Sequence, residues 1–582
     1  MRKGELTIRL EESIDSGSFH TFIIELASKE ESEQKNRLTE ALSTLHNNGQ
    51  LDLNAEYSKL PINEVQDRLF ILIDVYNDTI PLIDSKPEDI IDCITELTGK
   101  CDDEFSFFGT MSSFTEFCKQ DLNRAKQALD YVLRKGEGYE KFIYSTILSA
   151  NDKNIEWSIT QVEKLASHHS ASTRLQAFSA IACTKEISHH NCKNVVSLIE
   201  EAAEKEGDAS VKAVMLRALT LLTNNNDALS EKAEPIIKKI INKPNPIIIS
   251  EAARLLSFEK DENIKIPKPT LYTHLIENPQ ECYEATGQID HLLANLLKKG
   301  ENTTAEKIIE EILRAVPQAN ISLFRFFSNE LIRNQEKSLH RLVTKWLKSG
   351  DLLLGRAVHD LIQDSPSNNI ELSVDSNLIE KANNELKFLS RKAIGWLFTS
   401  PTSAASFVLS LHEHASTEVK KEINELFYEL LLLSYTEEVR EYLENIWSKK
   451  SEEAHSISKE LTSRLDAYFE ELKSASRRKE LTAPEKNIEL YWKEFGRLVE
   501  KAKDEGKKSI FEEICTVQHL LYGNTTISHI YDASGQAHRS EVPMQTVSHS
   551  SQLPRMTVID PIGLDIQLRT FRLERPHHEV NS

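Results

Sequence analysis

The chain of 582 residues is poor in the two residues that interrupt helices, with 18 Gly and 17 Pro. Ala, Leu, Glu and Lys abound instead, and that composition favours helix. No long apolar run is present. The densest, Leu430 to Leu433, falls far short of the roughly 20 residues a membrane-spanning helix needs. The first ten residues, Met1 to Leu10, lack the apolar core of a signal peptide. Seven cysteines (Cys93, Cys101, Cys118, Cys183, Cys192, Cys282 and Cys515) are odd in number and scattered, with no Cys-x-x-Cys. Reduced thiols in a cytoplasmic protein are the expectation. A basic excess is missing too: 70 Lys+Arg stand against 91 Asp+Glu, a formal charge of −21. Residues 1–130 hold 13 basic and 26 acidic residues, so the other 452 carry only −8. A surface that grips a phosphate backbone needs the opposite sign. Nucleic acid is therefore disfavoured as the main ligand, which leaves room only for a local basic groove in the C-terminal two thirds.

Catalytic signatures are lacking as well. There is no Gly-x-Ser-x-Gly, no His-Glu-x-x-His and no Gly-x-Gly-x-x-Gly. Gly99-Lys100-Cys101 lacks the upstream glycine of a phosphate-binding loop and has Cys where Ser or Thr would hold magnesium. His168-His169, Cys183, His189-His190 and Cys192 are ligand types that zinc accepts. All fall near helix ends, however, where His caps carbonyls and Cys packs as a small apolar group, so a structural role is expected. His412-Glu413-His414 and His577-His578-Glu579 are expected to be solvated. No catalytic, cofactor-binding or metal-ligating residue is assigned, and neither enzyme activity nor a cofactor is expected.

What the chain does have is a repeat. Arg174-x-x-Ala177-x-x-Ala180-Ile181 returns as Lys212-x-x-Met215-x-x-Ala218-Leu219 and as Ile249-x-x-Ala252-x-x-Leu255-Leu256. Each copy follows a turn signal: Ser170-Ala171-Ser172, Gly207-Asp208 and Pro244-Asn245-Pro246. A second apolar helix follows the first two copies, carrying Val196, Leu198 and Ile199, then Ile236, Ile237, Ile240 and Ile241. A period of this length marks helix pairs that bury their apolar faces by stacking on one another.

Four regions follow from the pattern. Residues 1–130 form an acidic module that opens with a short strand, Leu6–Leu10, where apolar and polar residues alternate. Its aromatic run from Phe105 to Phe117 reads as a core cap. Residues 131–452 form the repeats, with helix stops at Lys299-Gly300 and Lys348-Ser349-Gly350. Residues 453–523 form a cap of long helices, with Ile457, Leu461, Leu465, Phe469 and Leu472 as one stripe. Residues 524–582 form a β-like, partly irregular tail, in which Leu564-Asp565-Ile566-Gln567-Leu568-Arg569 alternates strictly. Trp157, Trp346, Trp396, Trp447 and Trp492 are expected in the core.

The phased helices 172–183, 210–222 and 246–256 resemble HEAT and armadillo-type repeats. The likeness rests on Arg174 or Lys212 early in the first helix and on the small apolar residues that follow; Ile249 replaces the basic residue in the third copy. The resemblance implies an all-α fold, an α-solenoid, and a scaffold or adaptor that binds protein partners. Stacking puts equivalent positions in a row, so Arg174, Lys212, Arg217 and Arg254 form either a basic ladder for a partner or ion pairs with neighbouring repeats. In the tail, Leu564, Ile566, Leu568, Arg569 and Phe571 are the candidate docking residues, as a strand added to a sheet edge. The alternative is a nucleic-acid-directed subunit of a bacterial repair or antiviral defence system, drawing on that ladder and on the arginines of the tail.

Overall fold

The computed structural model describes residues 3–28, 32–60, 68–100, 108–184, 189–224, 227–257, 268–334, 338–365, 370–380, 382–477, 489–497, 500, 525–531, 537–543 and 554–576. The protein is all-α in character. One antiparallel hairpin, Thr525–Tyr531 (β1) with Ala537–Pro543 (β2), stands outside the helices. No helix among the described residues is long and apolar enough to cross a membrane. The chain divides into two compact units, Met1–Arg333 and Asn334–Ser582.

The first unit opens with α1 (Lys3–Asp15), α2 (Phe19–Ala27) and α3 (Ser32–Asn47). The strand expected at Leu6–Leu10 is thus a helix. Leu6 and Leu10 are one helical turn apart and both are buried, while Ile8 between them is exposed. A period of two and an i, i+4 spacing coincide over five residues, and packing on α2 and α3 selects the helix. Helices α4 (Leu53–Ser58), α5 (Leu69–Thr79), α6 (Pro87–Lys100), α7 (Phe108–Lys119) and α8 (Leu122–Lys135) follow. Phe114 and Phe117 are fully buried and Phe114 packs edge-on against Phe142 of the helix after α8; Phe105 and Phe107 lie outside the described residues. Helix α9 (Lys141–Leu165) breaks at Asn154, whose side chain accepts the Trp157 N–H and restarts the helix.

The phased segments become α10 (Ala171–Ala182), α12 (Ala209–Asn224) and α14 (Pro246–Ser257), with α11 (His189–Lys205) and α13 (Asp227–Ile240) between them. Each turn signal supplies a cap at the same phase. Ser170 accepts from the Thr173 N–H, Asp208 from those of Ser210 and Val211, and Asn245 from that of Ile247. Helix α10 packs on α9 and α12, α12 on α14, and α11 on α13, so every helix touches its equivalent in the next pair. Ala177, Ala180, Ala218, Ala252 and Ala253 are buried at these crossings, where a small side chain lets backbones approach. Next come α15 (Lys268–Glu277), α16 (Pro279–Glu284), α17 (Thr286–Lys298), α18 (Asn302–Ala315) and α19 (Arg325–Arg333). Helix α14 packs on α17 and α17 on α19.

The second unit holds α20 (His340–Ser349), α21 (Leu352–Gln363), α22 (Asn383–Leu397), α23 (Pro401–Ser410), α24 (Thr417–Leu426), α25 (Glu438–Asn445) and α26 (Glu452–Ser476). Gly350 ends α20 in the left-handed conformation, φ 65°, as the helix-stop signal there requires. Helix α22 packs on α20, α21, α23 and α24, and α25 on α26. Of the expected long-helix stripe, Leu461 and Leu465 are buried and Leu472 is exposed. Trp346 and Trp447 lie in the core, but Trp492 is exposed beside Tyr491 and Phe495.

The tail ends in α27 (Met556–Ile559) and α28 (Pro561–Leu573). The strand expected at Leu564–Arg569 is therefore a helix as well. Pro561 occupies its first turn, Asp560 caps the Gly563 N–H, and Leu564, Leu568 and Phe571 (i, i+4, i+7) face inward.

Candidate functional site

The ladder residues are paired along their length. Arg174 grips Glu206 with both arms of its guanidinium (Nε–Oε2 2.7 Å, Nη2–Oε1 2.8 Å) and donates from Nη1 to the carbonyls of His168 and His169. Lys212, at the same phase one repeat later, is buried, with Nζ 3.2 Å from Asn242 Oδ1. Glu206 and Asn242 each lie just past the second helix of the cation's own pair, α11 for Arg174 and α13 for Lys212, so both cations reach a helix C-terminus, where the backbone dipole favours positive charge. Arg217 makes the next fork, to Glu251 of α14 (Nε–Oε1 2.9 Å, Nη2–Oε2 2.7 Å), and Arg254 shares that carboxylate through Nε (3.0 Å) and Nη2.

These pairings set the electrostatics. Burial disfavours the charged form of Glu251, but the guanidiniums of Arg217 and Arg254 override it and hold the carboxyl below its usual range. Glu206 follows the same balance: burial opposes ionisation, and Arg174 with the N–H groups of Asp208 and Gly207 outweighs it. Burial lowers the pKa of Lys212, and neighbouring Lys243 adds to the shift.

Beside the Arg217–Glu251 pair runs a groove of about 430 Å³ lined by Leu175, Ala213, Val214, Ile247 and Ser250. Leu175, Ala213 and Ser250 are equivalent positions, each one residue after the ladder position in three successive first helices. Ile247 is exposed. Leu175, Ala213 and Ser250 were not singled out by the sequence pattern, although they stand one place after the ladder position in each repeat.

The tail candidates separate into two sets. Leu564, Leu568 and Phe571 are buried, and α28 packs mainly on α22, with α21 and α27 also touching it. Ile566 points away and is 59% exposed, and Arg569 is exposed and paired with Asp565 of its own helix. Arg391 of α22 forks onto Glu574 (Nε–Oε2 2.8 Å, Nη2–Oε1 2.6 Å), Lys392 Nζ donates to the Arg572 carbonyl at 2.7 Å, and Arg572 Nε donates to the Gly395 carbonyl. The Arg572 guanidinium lies 5.2 Å from the Trp396 ring centre. Lys392 is buried, and burial pushes its ammonium down to about 8, with Glu574 opposing and Arg575 adding to the shift.

The remaining buried polar groups have structural surroundings. Asp290 of α17 accepts the Phe326 and Phe327 N–H groups and so caps α19; burial nevertheless raises its carboxyl. The Ser170 N–H donates to His168 Nδ1. Cys183 is exposed and Cys192 buried, and no group of three metal-capable side chains converges among the described residues. His412 is not solvated as expected. It is 5% exposed, edge-on to Trp447, beside Asn424, with neither ring nitrogen hydrogen-bonded. Burial, and then Lys420, push its pKa down to about 4. His577 and its neighbours lie outside the described residues.

No protein-family model matches this chain. Among curated proteins, none matches it either.

Proposed function

We propose that the chain is an α-solenoid of HEAT or armadillo type that acts, without catalysis, as a scaffold for protein partners in the cytoplasm. The observation that carries this reading is the groove of Leu175, Ala213, Val214 and Ile247 across three consecutive first helices. Repetition places the half-buried Leu175, the buried Ala213 and the half-buried Ser250 in a row that Ile247 extends to the surface, a groove of the kind stacked repeats commonly present to a polypeptide. Capping at the same phase and packing of each helix on its next equivalent support the solenoid.

The ion pairing of the ladder favours the scaffold reading over the nucleic-acid alternative. Arg174 is engaged with Glu206, and Arg217 and Arg254 share Glu251, so two carboxylates offset much of the charge that three guanidiniums would offer a phosphate backbone.

The test uses full-length chain as bait, with Leu175→Asp/Ile247→Asp as the groove variant and Leu323→Asp as an exposed control elsewhere in the same unit. A specific protein retained by the wild type and the control, and lost with the groove variant, is expected. Retention that is indifferent to the groove variant sinks the proposal. So does salt-sensitive binding of DNA or RNA with no protein captured.

A further inference from the structure

Helix α28 meets α22 as a ligand meets its receptor. Leu564, Leu568 and Phe571 supply an apolar edge at i, i+4 and i+7. The seat beneath them is cut to backbone level. A methyl group at Gly395 would stand 3.0 Å from Phe571 Cβ and 3.3 Å from the Arg572 nitrogen, and one at Gly350 would stand 2.6 Å from Pro576 Cδ. Two cations wait at the end of the seat. The C-terminal carbonyls of a helix lack intrahelical partners and carry the negative end of its dipole. Lys392 takes one of them, that of Arg572, and Arg391 takes the Glu574 carboxylate just beyond.

The outer face of α28 carries apolar residues as well: Ile562, Ile566 and Leu573 are exposed, with nothing over them among the described residues. Among the described residues the helix therefore lies on the unit by one edge. It also follows a long stretch of chain after α26, so its pairing partners are distant in sequence, 183 residues for Arg391 and Glu574.

We propose that this face of α22 is a receptor groove for an amphipathic helix with large apolar residues at i, i+4 and i+7 and a carboxylate three residues further on, and that α28 occupies it in cis until such a helix of a partner protein displaces it. The recognition is of the helix-in-groove kind, with Gly395 and Gly350 setting the depth and Arg391 and Lys392 setting direction. Tethering places α28 at an effective concentration on the order of millimolar, so a competitor must bind better than the tail or act when the tail is weakened. The scaffold reading supplies the partner; the groove itself does not depend on it.

The test uses full-length protein and a fluorescent peptide of residues 555–576 as probe, read by anisotropy. Leu568→Asp/Phe571→Asp in the chain opens the tail and leaves the groove intact. That protein is expected to bind the peptide at least tenfold more tightly than the wild type does. Adding Arg391→Glu should reduce binding at least tenfold, and a Glu574→Arg peptide should restore it. A folded tail-opened chain that ignores the peptide, or equal binding to both proteins, overturns the proposal. Loss of fold in Leu568→Asp/Phe571→Asp overturns it too, because α28 is then part of the core. A gentler variant, Glu574→Arg, should raise peptide uptake, and Arg391→Glu/Glu574→Arg should close the groove to the wild-type peptide again. Dimerisation of the wild type that the tail variant abolishes would assign the groove to a second copy and overturn the partner reading. None of these outcomes depends on Leu175 or Ile247, so failure here and failure of the scaffold reading are separable.

Discussion

Glu251 is where the repeat's electrostatics are most exposed to test. Its side chain is 6% exposed and receives both Arg217 and Arg254, whose side chains are 34% and 32% exposed. Replacing it with Gln keeps the volume, removes the charge, and turns one acceptor into a donor facing two guanidiniums. Breaking a buried pair costs about 3–5 kcal/mol. Both arginines can recover water on their exposed sides, so the expected loss is smaller, about 2–3 kcal/mol. For a unit of this size that lowers the thermal midpoint by roughly 3–4 °C.

The pH dependence provides a second reading of the same pair. The folded carboxyl titrates below its unfolded value. Its contribution is therefore full above the unfolded value of about 4.3 and is lost as pH falls through the lower, folded one. Denaturant unfolding of wild type and Glu251→Gln should differ fully at pH 7, and the gap should close only on the acid side of about pH 4.3. Arg217→Met/Glu251→Met, which removes both charges, should recover most of the loss, since an apolar pair of similar volume leaves nothing unpaired. A gap below about 0.5 kcal/mol at pH 7 would refute the assignment of this pair as structural, because that is the scale of an exposed ion pair. A gap indifferent to pH would show that the charge is not what matters.

Three further outcomes are expected. His412 is held neutral by burial with a pKa of about 4, so the unfolded chain binds the extra proton between that value and about 6.5; the second unit should lose about 2 kcal/mol between pH 7 and pH 5, and His412→Phe should flatten the slope measured by urea midpoints. Asp290→Ala should leave the Phe326 and Phe327 N–H groups unpaired and cost about 1–2 kcal/mol, seen as faster amide exchange confined to α19. Gly395→Val should lift α28 from its seat, so hydrogen exchange over residues 561–573 should rise while that over α26 stays unchanged.

The helical character and the repeat phase were legible in the sequence because capping residues and small apolar residues recur at a fixed spacing. Ser170, Asp208 and Asn245 announce their helices before any packing is known. What the sequence did not reveal was the partner of each cation. Glu206, Asn242 and Glu251 stand 30 to 34 residues from Arg174, Lys212 and Arg217, and nothing local distinguishes them from other acids and amides. The two strand expectations failed for one reason. Leu6-x-Ile8-x-Leu10 and Leu564-x-Ile566-x-Leu568 each contain an i, i+4 pair hidden in an alternation, and in each the middle residue is the exposed one. The third member of the helical face, Phe571 at i+7, and Pro561 at the helix start were the signals that could have decided the second case. His412 was missed because a histidine flanked by Glu413 and His414 reads as polar, whereas its own phase faces Trp447.

The cations of the two units are satisfied by similar chemistry but at different reach, and that difference separates architecture from exchange. In the first unit, Arg217 finds Glu251 on α14, which packs directly against its own helix, while Arg174 and Lys212 find Glu206 and Asn242 just past the second helix of their own pairs. The Arg217 pair joins two packed first helices and the other two tie a first helix to the end of its own second helix, so all three belong to the folded array. In the second unit, Arg391 and Lys392 find a carboxylate and a carbonyl at the far end of the chain, 183 and 180 residues on. That pairing can open while α20 to α26 keep their mutual contacts. Opening leaves one half-buried guanidinium and one desolvated ammonium with no counterpart, beside a strip that glycine keeps bare. A site in that condition is costly to leave empty, and the seat beneath it is shaped for a helix end. The tail is accordingly the simplest occupant of the groove, and a helix of the same chemistry is the one best able to replace it.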